Sequence, residues 1–290
     1  MPDEIDLRIR PVRPGDKPRV LDFTAGTWGD GDYIQDVFDE WLADPAGQFT
    51  AVELEGQAVA IARLTDLGDG ELWLEGMRVD PKHRKKGISK TLHAYHVSLA
   101  RKLGGDVLRY ATGDDNAVSR ILGERTGFRH VGNYWWHEAI PSDEYEPPVR
   151  LAREDWPVLR TRFRSPLVRV ARRLYQRDWR WRGLSEVRLK AHLASGEVLG
   201  LRRADGTGLR AWSICALDED TQMGLQHLDA IDSASLAEMA GSMRRYARDA
   251  GRSLVTTFAP EPSPLIGALR EAGYRTEEMA MIVLELKLRK

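Results

Sequence analysis

The chain has 290 residues, of which 42% are hydrophobic and 30% charged, and its formal net charge at pH 7 is −1. It has no apolar run long enough to span a bilayer, and its first residues lack the apolar core of a secretory signal. Composition therefore excludes a membrane-spanning chain, and a charge so near zero argues against a dedicated nucleic-acid binder. We expect a cytoplasmic protein of two domains, because a single domain rarely reaches this length.

Residues 23–48 combine acidic and aromatic side chains. Such a mixture suits a cationic amine through ion pairing and cation–π contacts. The alternative is a solvated helix face whose aromatic side chains belong to the core. Asp30-Gly31-Asp32 has the start of a calcium loop, but Gln35 stands where glycine is required and Trp41 where the bidentate glutamate belongs.

The segment 71–91 couples a strand to a helix through a basic turn that contains Gly87. Residues 71–79 read as an extended apolar strand, which Asp80-Pro81 ends. Apolar residues then recur at helical spacing, at Ile88, Leu92, Tyr95, Leu99 and Leu103. The turn therefore lies at a helix N-terminus, where unpaired amides, the helix dipole and basic side chains suit a pyrophosphate. Gly87 allows the backbone to approach that ligand closely.

After this helix the sequence predicts a strand and a shorter helix. Gly104-Gly105 closes the first helix, and residues 107–111 read as the strand. Asp114-Asp115-Asn116 then starts the short helix, which ends at Gly127-Phe128.

The histidines and the cysteine give no strong sign of a metal or nucleophile site. His93 and His96 are three residues apart, but no carboxylate or cysteine joins them at ligand spacing, so core or surface histidines are favoured. Cys215 is the single cysteine and lies in an apparent strand, which favours a buried, inert thiol over a nucleophile. The sequence therefore predicts no bound metal.

The second half of the chain repeats the first. Residues 149–155 echo the opening strand, residues 197–206 echo the hairpin, and residues 269–274 echo Gly127-Phe128. A polar, proline-bearing linker, residues 141–148, separates the halves. Internal repetition of this kind indicates two copies of one fold.

The repeat differs where the second phosphate turn should be. Residues 228–235 contain no comparable basic, glycine-bearing turn, and Asp229 and Asp232 lie near the predicted helix start. Carboxylates there would repel a pyrophosphate. A degenerate, structural copy is therefore favoured over a half that binds another ligand in the same cleft, and we expect one active site per chain.

The phosphate turn carries a family resemblance. Residues 84–89, Arg-Lys-Lys-Gly-Ile-Ser, resemble the acetyl-coenzyme A motif of the GNAT acyltransferases, which is Arg or Gln, two residues, Gly, one residue, Gly or Ala. Ser89 departs from the pattern, but it is small, and its hydroxyl can donate to a phosphate or cap the helix. Asn116 precedes Gly127 by the family's spacing of eleven residues.

The resemblance extends upstream and implies a fold. Residues 7–11 with Pro14-Gly15-Asp16 look like the family's first strand and helix start, and residues 49–60 look like its β-hairpin, so the resemblance covers roughly residues 5–140. With the repeat, it implies a tandem GNAT protein of α/β (α+β) class. Each copy would be a mixed, mostly antiparallel twisted sheet flanked by helices. The expected domains are 1–140, which binds acetyl-CoA, the linker 141–148, and the degenerate 149–290.

The resemblance also implies roles for residues in the first half. Acetyl-CoA would be bound by backbone and side chains of Met77, Arg78, Val79, Arg84, Lys85, Lys86, Gly87, Ile88, Ser89, Lys90 and Asn116. Gly76 would mark a bulge beside the thioester, and Glu75 is the candidate general base, acting through a water; a solvent-facing or salt-bridged carboxylate is the alternative, with Glu71 in reserve. Where many members have a leaving-group tyrosine this chain has Gly123, so Tyr110, Tyr134, a water or no dedicated acid remain open.

The acceptor would lie in the acidic and aromatic segment, with Trp28, Asp32 and Tyr33 as candidate substrate residues. WGDGDY is faintly similar to the histidine N-acetyltransferase-like branch, which favours a free amino acid or small amine over a protein. The expected reaction is acetylation of a primary amine by direct attack on the thioester, in a monomer or homodimer.

Other functions remain open from sequence. One is a non-catalytic acetyl-CoA sensor, and another is a protein or peptide N-acetyltransferase. The arginines and aromatic residues of residues 160–182 suit nucleic acid. However, Phe163, Leu167, Val170 and Leu174 follow helical spacing, so a docked helix with a polar arginine face is favoured. We therefore expect neither nucleic acid nor a membrane as a partner.

Overall fold

The computed structural model describes residues 7–27, 31–217 and 221–289. The chain packs as two compact units. The first takes in the chain up to Tyr110, Val118–Arg129 and the end of the chain from Leu284, and the second takes in Ala111–Ala117 and His130–Val283. Residues 111–117 and 130–140 therefore pack with the second unit, and the last residues pack with the first.

The helices and strands follow one another in a repeated order. The first elements are β1 (Arg8–Pro11), α1 (Lys17–Thr24), α2 (Ile34–Ala43), β2 (Gly47–Leu54), β3 (Gln57–Asp66), β4 (Glu71–Val79), α3 (Ile88–Lys102), β5 (Val107–Gly113), α4 (Ala117–Arg125) and β6 (Arg129–Ala139). The chain continues with β7 (Val149–Arg150), α5 (Trp156–Arg162), α6 (Pro166–Val170), β8 (Leu174–Arg177), β9 (Arg180–Gly183), α7 (Glu186–Ser195), β10 (Val198–Arg202), β11 (Leu209–Leu217), β12 (Gln222–Ala230), α8 (Ser233–Asp249), β13 (Leu254–Glu261), α9 (Pro264–Glu271) and β14 (Arg275–Lys287).

The sheet of the first unit runs β1–β2–β3–β4–β5 and then the end of β14. The β1–β2, β2–β3 and β3–β4 pairs are antiparallel, and the β4–β5 pair is parallel. Beside β5, the amide of Leu288 donates to the carbonyl of Asp106 at 2.9 Å, and Arg109 donates to Glu285 at 2.7 Å. The predicted strands, hairpin and mixed sheet are confirmed.

Helix α3 begins and ends at left-handed glycines, Gly87 with φ 79° and Gly104 with φ 76°. Its buried face consists of Ile88, Leu92, His93, His96, Val97 and Ala100. The helix predicted from the apolar spacing is confirmed, although Tyr95 and Leu103 are exposed. Its two histidines are core residues, because their Nε2 atoms contact the Thr126 and Thr50 hydroxyls at 2.9 and 3.2 Å.

The second unit repeats the sheet in the order β14–β6–β13–β12–β11–β10–β7. Its β12–β13 pair is parallel, while β6–β13, β11–β12, β10–β11 and β7–β10 are antiparallel. Helices α8 and α9 pack on this sheet through one apolar cluster that includes Met239, Met243 and Leu269. Cys215 is buried in β11, where burial raises the pKa of its thiol to about 12. The predicted fold class is thus confirmed in both halves.

The helix expected over residues 160–182 is wrong. This segment forms α5, α6 and the two-stranded β8–β9 hairpin instead. Ser165 caps α6 with its hydroxyl and Pro166 starts it, so α5 cannot continue through this point. Arg172 and Arg173 then take left-handed backbone conformations, which end α6 before the hairpin.

In residues 7–27, 31–217 and 221–289, none of the helices combines the length and the apolar character needed to cross a bilayer. Within the same residues, no three His, Cys, Asp or Glu side chains come together in a group that could hold a metal ion.

Candidate active site

A β-bulge interrupts β4 beside the candidate base. Ile61 pairs with Arg78 and Arg63 pairs with Glu75, so β4 has one residue more than β3 over this stretch. Gly76 has φ 65°, and a Cβ there would lie 2.5 Å from the Trp41 ring. Only glycine fits both the backbone and the ring. The bulge predicted at Gly76 is therefore present, with Met77 in the interrupted stretch.

β4 also diverges from β5 at this point. Among the described residues, their parallel pairing runs from Glu71↔Val107 to Trp73↔Arg109, although β4 continues to Val79. Within the described residues, β5 therefore does not pair with β4 beyond Trp73. An extended ligand that carries amides, such as a pantetheine arm, can pair with such an edge.

The turn after β4 has the features of an anion site. Gly87 is the N-cap of α3, and a Cβ on it would meet no atom within 4 Å, so the approach to its backbone is open. Lys85 is left-handed, with φ 64°. The first amides of α3, from Ile88, Ser89 and Lys90, have no acceptor within the helix. With the helix dipole, they suit a phosphate.

Side chains around the turn add positive charge and fix its shape. Arg84, Lys85 and Lys86 are exposed, whereas Ile88 is buried and anchors the helix start. Before the turn, Asp80 is buried and accepts from the Lys82 amide at 2.9 Å; it also pairs with Arg19. Burial raises the pKa of Asp80, but the Lys82 amide and Arg19 outweigh it and hold that pKa below its ordinary value.

The carboxylate of Glu75 is held by two side chains of β3. Its side chain is 12% exposed, and its Oε1 accepts from the Thr65 hydroxyl at 2.5 Å. The Arg63 Nε lies 4.0 Å from the same oxygen. The carboxylate is thus partly accessible and lies beside the bulge, as a general base that receives a proton at this point of the strand requires.

The candidate substrate residues Asp32 and Tyr33 lie just before α2. Asp32 is buried and accepts from Arg78 Nε at 2.5 Å and Nη2 at 3.2 Å, so its charge is already neutralised by a bidentate pair. The Arg78 guanidinium lies 5.3 Å from the centre of the Tyr33 ring, and Tyr33 is 38% exposed. Trp28 lies outside the described residues.

Three other residues expected at the cofactor, Arg78, Val79 and Asn116, make contacts of different kinds. The Arg78 side chain is turned to Asp32 and to the Met77 carbonyl, which leaves its backbone as the part that can serve the cofactor. The carbonyl of Val79 accepts from Arg84 Nε at 3.4 Å. Asn116 is exposed in the turn before α4, and its amide donates to the carbonyl of Gly113 at 3.1 Å.

Both candidate acids are buried tyrosines whose hydroxyls donate to backbone carbonyls. Tyr110 donates to the carbonyl of Ser119 at 2.8 Å, and burial raises its pKa to about 12. Its hydroxyl lies against Gly123, where a Cβ would overlap it. Tyr134 donates to the carbonyl of Ala171 at 3.2 Å and packs on Trp181. Their roles as acids stay predictions.

Sequence reasoning missed the residues that hold Glu75. Arg63 and Thr65 alternate along β3, a strand whose other residues from Ala58 to Leu64 are apolar and buried. Two buried polar side chains on one face of such a strand were the available signal, because buried polar groups need partners. Pairing of β3 with β4 had to be known before Glu75 could be named as that partner.

The second unit keeps the strand geometry but not the open site. Its β12–β13 pairing ends at Leu225↔Thr257, and a bulge falls at the next residue of β12, Gln226. A cavity of about 20 Å³ lies there, walled in part by Tyr175 and Trp181, and has room for about one water molecule. At the start of α8, the Asp232 carboxylate accepts from the Ser235 amide at 2.7 Å.

The comparisons with known proteins agree with this geometry. Residues 18–128 match the sequence profile described as the acetyltransferase (GNAT) family, and no curated protein sequence matches the chain. A GCN5-related N-acetyltransferase from Sphaerobacter thermophilus is 16% identical, with a TM-score of 0.64 over 98% of this chain and 96% of that one. A tandem GNAT protein from the clavulanic acid biosynthesis pathway is 14% identical, with a TM-score of 0.57 over 98% and 99%.

A third similar structure is part of a larger protein. It is a GCN5-related glucosamine N-acetyltransferase region of a fungal multi-domain GH3 β-N-acetylglucosaminidase. It is 13% identical, with a TM-score of 0.68 over 97% of this chain and 38% of that one. At such low identities these likenesses establish the fold alone, which is a mixed sheet flanked by helices in two tandem copies.

Proposed function

From the match of residues 18–128 to the acetyltransferase (GNAT) family, we propose that this chain transfers an acetyl group from acetyl-CoA to a primary amine of a small molecule or amino acid. The observation that carries the proposal is the course of β4 in the first unit. This strand has a bulge beside Glu75, separates from β5 beyond Trp73 and leads through a glycine turn into α3. Those three features together accommodate a thioester, a pantetheine arm and a pyrophosphate.

Different residues of the first unit bind the phosphates, the pantetheine arm and the thioester of acetyl-CoA. The first amides of α3 and the side chains of Arg84, Lys85 and Lys86 receive the phosphates. The part of β4 beyond Trp73 pairs with the amides of the pantetheine arm. The amide of Met77 donates to the thioester carbonyl and stabilises the negative charge that develops on its oxygen during attack.

Glu75 prepares the acceptor amine. Through a water, it takes the proton of the acceptor ammonium, and the neutral nitrogen then attacks the carbonyl carbon. A carbon–nitrogen bond forms, the carbon–sulfur bond breaks, and the second proton of the attacking nitrogen passes through water to the departing thiolate. We assign the proton for the thiolate to water, since the Tyr110 and Tyr134 hydroxyls already donate to carbonyls.

We assign the acceptor amine to the start of α2. Tyr33 would be an exposed aromatic contact there, and Trp28 is a further candidate. Asp36 and Glu40 are exposed on the same helix and favour a cationic acceptor, whereas Asp39 already pairs with Lys17. Because Asp32 is engaged by Arg78, it supports the site by holding that arginine rather than by pairing with the amine.

The test is release of free thiol from acetyl-CoA across amino acids, polyamines, aminoglycosides and peptides. Turnover on one class identifies the acceptor. Glu75→Gln should lower kcat by about 100-fold or more at unchanged KM for acetyl-CoA, because a positioned base contributes that much. Glu71→Gln is the matched control, since Glu71 lies on the same strand but pairs with Arg109 at 3.0 Å.

Two outcomes would contradict the proposed reaction, and a third would contradict the role of Glu75. Acetyl-CoA binding without turnover on any amine would favour the sensor instead. Turnover on peptides alone would favour the protein N-acetyltransferase. Equal losses in Glu75→Gln and Glu71→Gln would remove Glu75 from the base role.

A further inference from the structure

We propose that Thr65 is the positioning residue of the catalytic base and that Arg63 supports it. The inference rests on the proposed function, in which Glu75 takes the acceptor proton. It adds a residue that touches neither acetyl-CoA nor the amine and acts only through the carboxylate of Glu75.

The pairing of β3 with β4 puts both side chains on the face of Glu75. Arg63 lies directly opposite Glu75, and Thr65, two residues further along β3, lies on the same face at the diagonal position. The Thr65 hydroxyl donates to Oε1 of Glu75 at 2.5 Å, and the Arg63 Nε lies 4.0 Å from the same oxygen. Both β3 side chains therefore act on one oxygen of the carboxylate.

A hydrogen bond to one oxygen fixes the rotation of the carboxylate. A glutamate has three side-chain torsions, and its terminal torsion is broad when nothing holds it. The Thr65 hydroxyl sits on a paired strand and has the stiff χ1 of a β-branched residue, so it is a rigid donor. It therefore sets the direction in which both oxygens of Glu75 point.

Arg63 is itself locked in place. It is 1% exposed, forms an ion pair with Asp44 and lies with its guanidinium 5.1 Å from the centre of the Trp41 ring. Gly47 completes the enclosure, because a Cβ there would overlap the guanidinium. Within the described residues, Nε and Nη1 of Arg63 make no hydrogen bond. A fixed positive charge thus lies beside Oε1, with Nε 4.0 Å from that oxygen.

The burial of Arg63 lowers the stability of the fold. A buried arginine with unmade hydrogen bonds is unfavourable for folding. Such groups are retained where they serve a site. Here the arginine keeps a positive charge beside Oε1, which reinforces the hold of the Thr65 hydroxyl on the same atom.

The test compares Thr65→Val, which removes the hydroxyl at nearly constant shape, with Thr65→Ser, which keeps it. Thr65→Val should lower kcat about tenfold at unchanged KM for acetyl-CoA, because a misdirected base loses part of its catalytic contribution. Thr65→Ser should stay within about twofold of the wild type, since the donor is retained. If Thr65→Val does not fold, Thr65→Ala carries the same expectation.

Thr50→Val is the matched control. Thr50 is also a buried threonine on a strand of the first unit, but its hydroxyl contacts the Gln48 carbonyl and His96. The control should lose stability and keep kcat. Equal losses of kcat in Thr50→Val and Thr65→Val would overturn the proposal, as would a Thr65→Val enzyme with wild-type kcat.

A double variant separates this proposal from the proposed function. In Glu75→Gln the base is gone, so adding Thr65→Val should lower kcat no further. A further tenfold loss would mean that Thr65 acts on something else. If Glu75→Gln alone keeps full activity, both proposals fall; if it loses activity while Thr65→Val does not, only the positioning role falls.

Discussion

Single residues explain why this site departs from the family pattern at its expected acid. Tyr110 of β5 places its hydroxyl against Gly123 of α4, where any side chain would overlap it. The Tyr110 hydroxyl, from β5, therefore fills the space beside position 123. A tyrosine at position 123 would displace Tyr110. Substitution of Gly123 cannot test for a missing acid, because it would first disturb the core.

A buried histidine beside this tyrosine makes stability depend on pH. His93 packs on Tyr110 and Phe128, and burial lowers its pKa from 6.5 to about 4. Between these values the unfolded chain binds the proton and the folded chain does not. The stability that neutral His93 contributes is therefore present above pH 6.5 and is lost as the pH falls towards 4.

His93→Phe should flatten this dependence. In that window each such histidine adds about 1.4 kcal/mol per pH unit to the slope of unfolding free energy, so the variant's slope should be lower by that amount. Urea unfolding across the window measures it. Unfolding at neutral pH and above gives the packing effect of phenylalanine alone, and identical slopes in both proteins would contradict the assignment.

The sequence predicted the residues of this site that follow from local pattern. Gly87 at a helix start could be predicted from its neighbours, because a turn is set locally, and Gly76 at a bulge was predicted with the family resemblance. Thr65 and Arg63 could not, since their contact with Glu75 depends on the register of two strands. Tyr33 and Asp32 were predicted together, but the pairing of Asp32 with Arg78 joins positions distant in sequence.

Among the elements, β4, the phosphate turn and α3 act as one unit. Asp80 fixes the end of the strand, Gly87 starts the helix in a left-handed conformation, and Ile88 anchors the helix in the core. Apolar spacing predicted this helix because one long element carried the whole pattern. The same spacing failed over residues 160–182, where Ser165-Pro166 and two left-handed arginines break the chain into shorter elements.

Two glycine substitutions separate strain from ligand binding. Gly87 and Gly56 have nearly equal φ, 79° and 78°, and a Cβ on either meets no atom within 4 Å. Alanine at either should cost about 1–2 kcal/mol of stability, because the left-handed backbone disfavours it. Only Gly87→Ala should raise the dissociation constant for acetyl-CoA, about tenfold, through crowding of the phosphate.

Thermal unfolding and a direct binding titration of both variants check this expectation. Gly56 lies in the turn between β2 and β3, so its variant reports the strain alone. Equal acetyl-CoA affinities in Gly87→Ala and Gly56→Ala would mean that the turn before α3 does not carry the phosphates.

At the scale of the whole molecule, two copies of one fold have kept their strand geometry and diverged in chemistry. Each unit has a parallel strand pair that separates and a bulge near the separation. In the second unit the cavity near the bulge has a volume of about 20 Å³ and is walled in part by aromatic side chains. The Asp232 carboxylate accepts a hydrogen bond from the Ser235 amide in the first turn of α8.

We therefore expect one acetyl-CoA per chain. Isothermal titration calorimetry of the full chain should give a single site, and Gly87→Ala should weaken that site without exposing another. Two sites per chain would contradict the reading of the second unit as a degenerate copy. The carboxylate at the start of α8 is the physical reason to expect one, because it repels phosphate where the first unit attracts it.

The most direct test of acetyl transfer at the first unit is the kcat of Glu75→Gln against wild type and Glu71→Gln. It is measured as thiol release at saturating acetyl-CoA with the preferred amine. The account predicts a loss of about 100-fold or more in Glu75→Gln, with acetyl-CoA affinity retained and Glu71→Gln near wild type. Wild-type turnover in Glu75→Gln would contradict it.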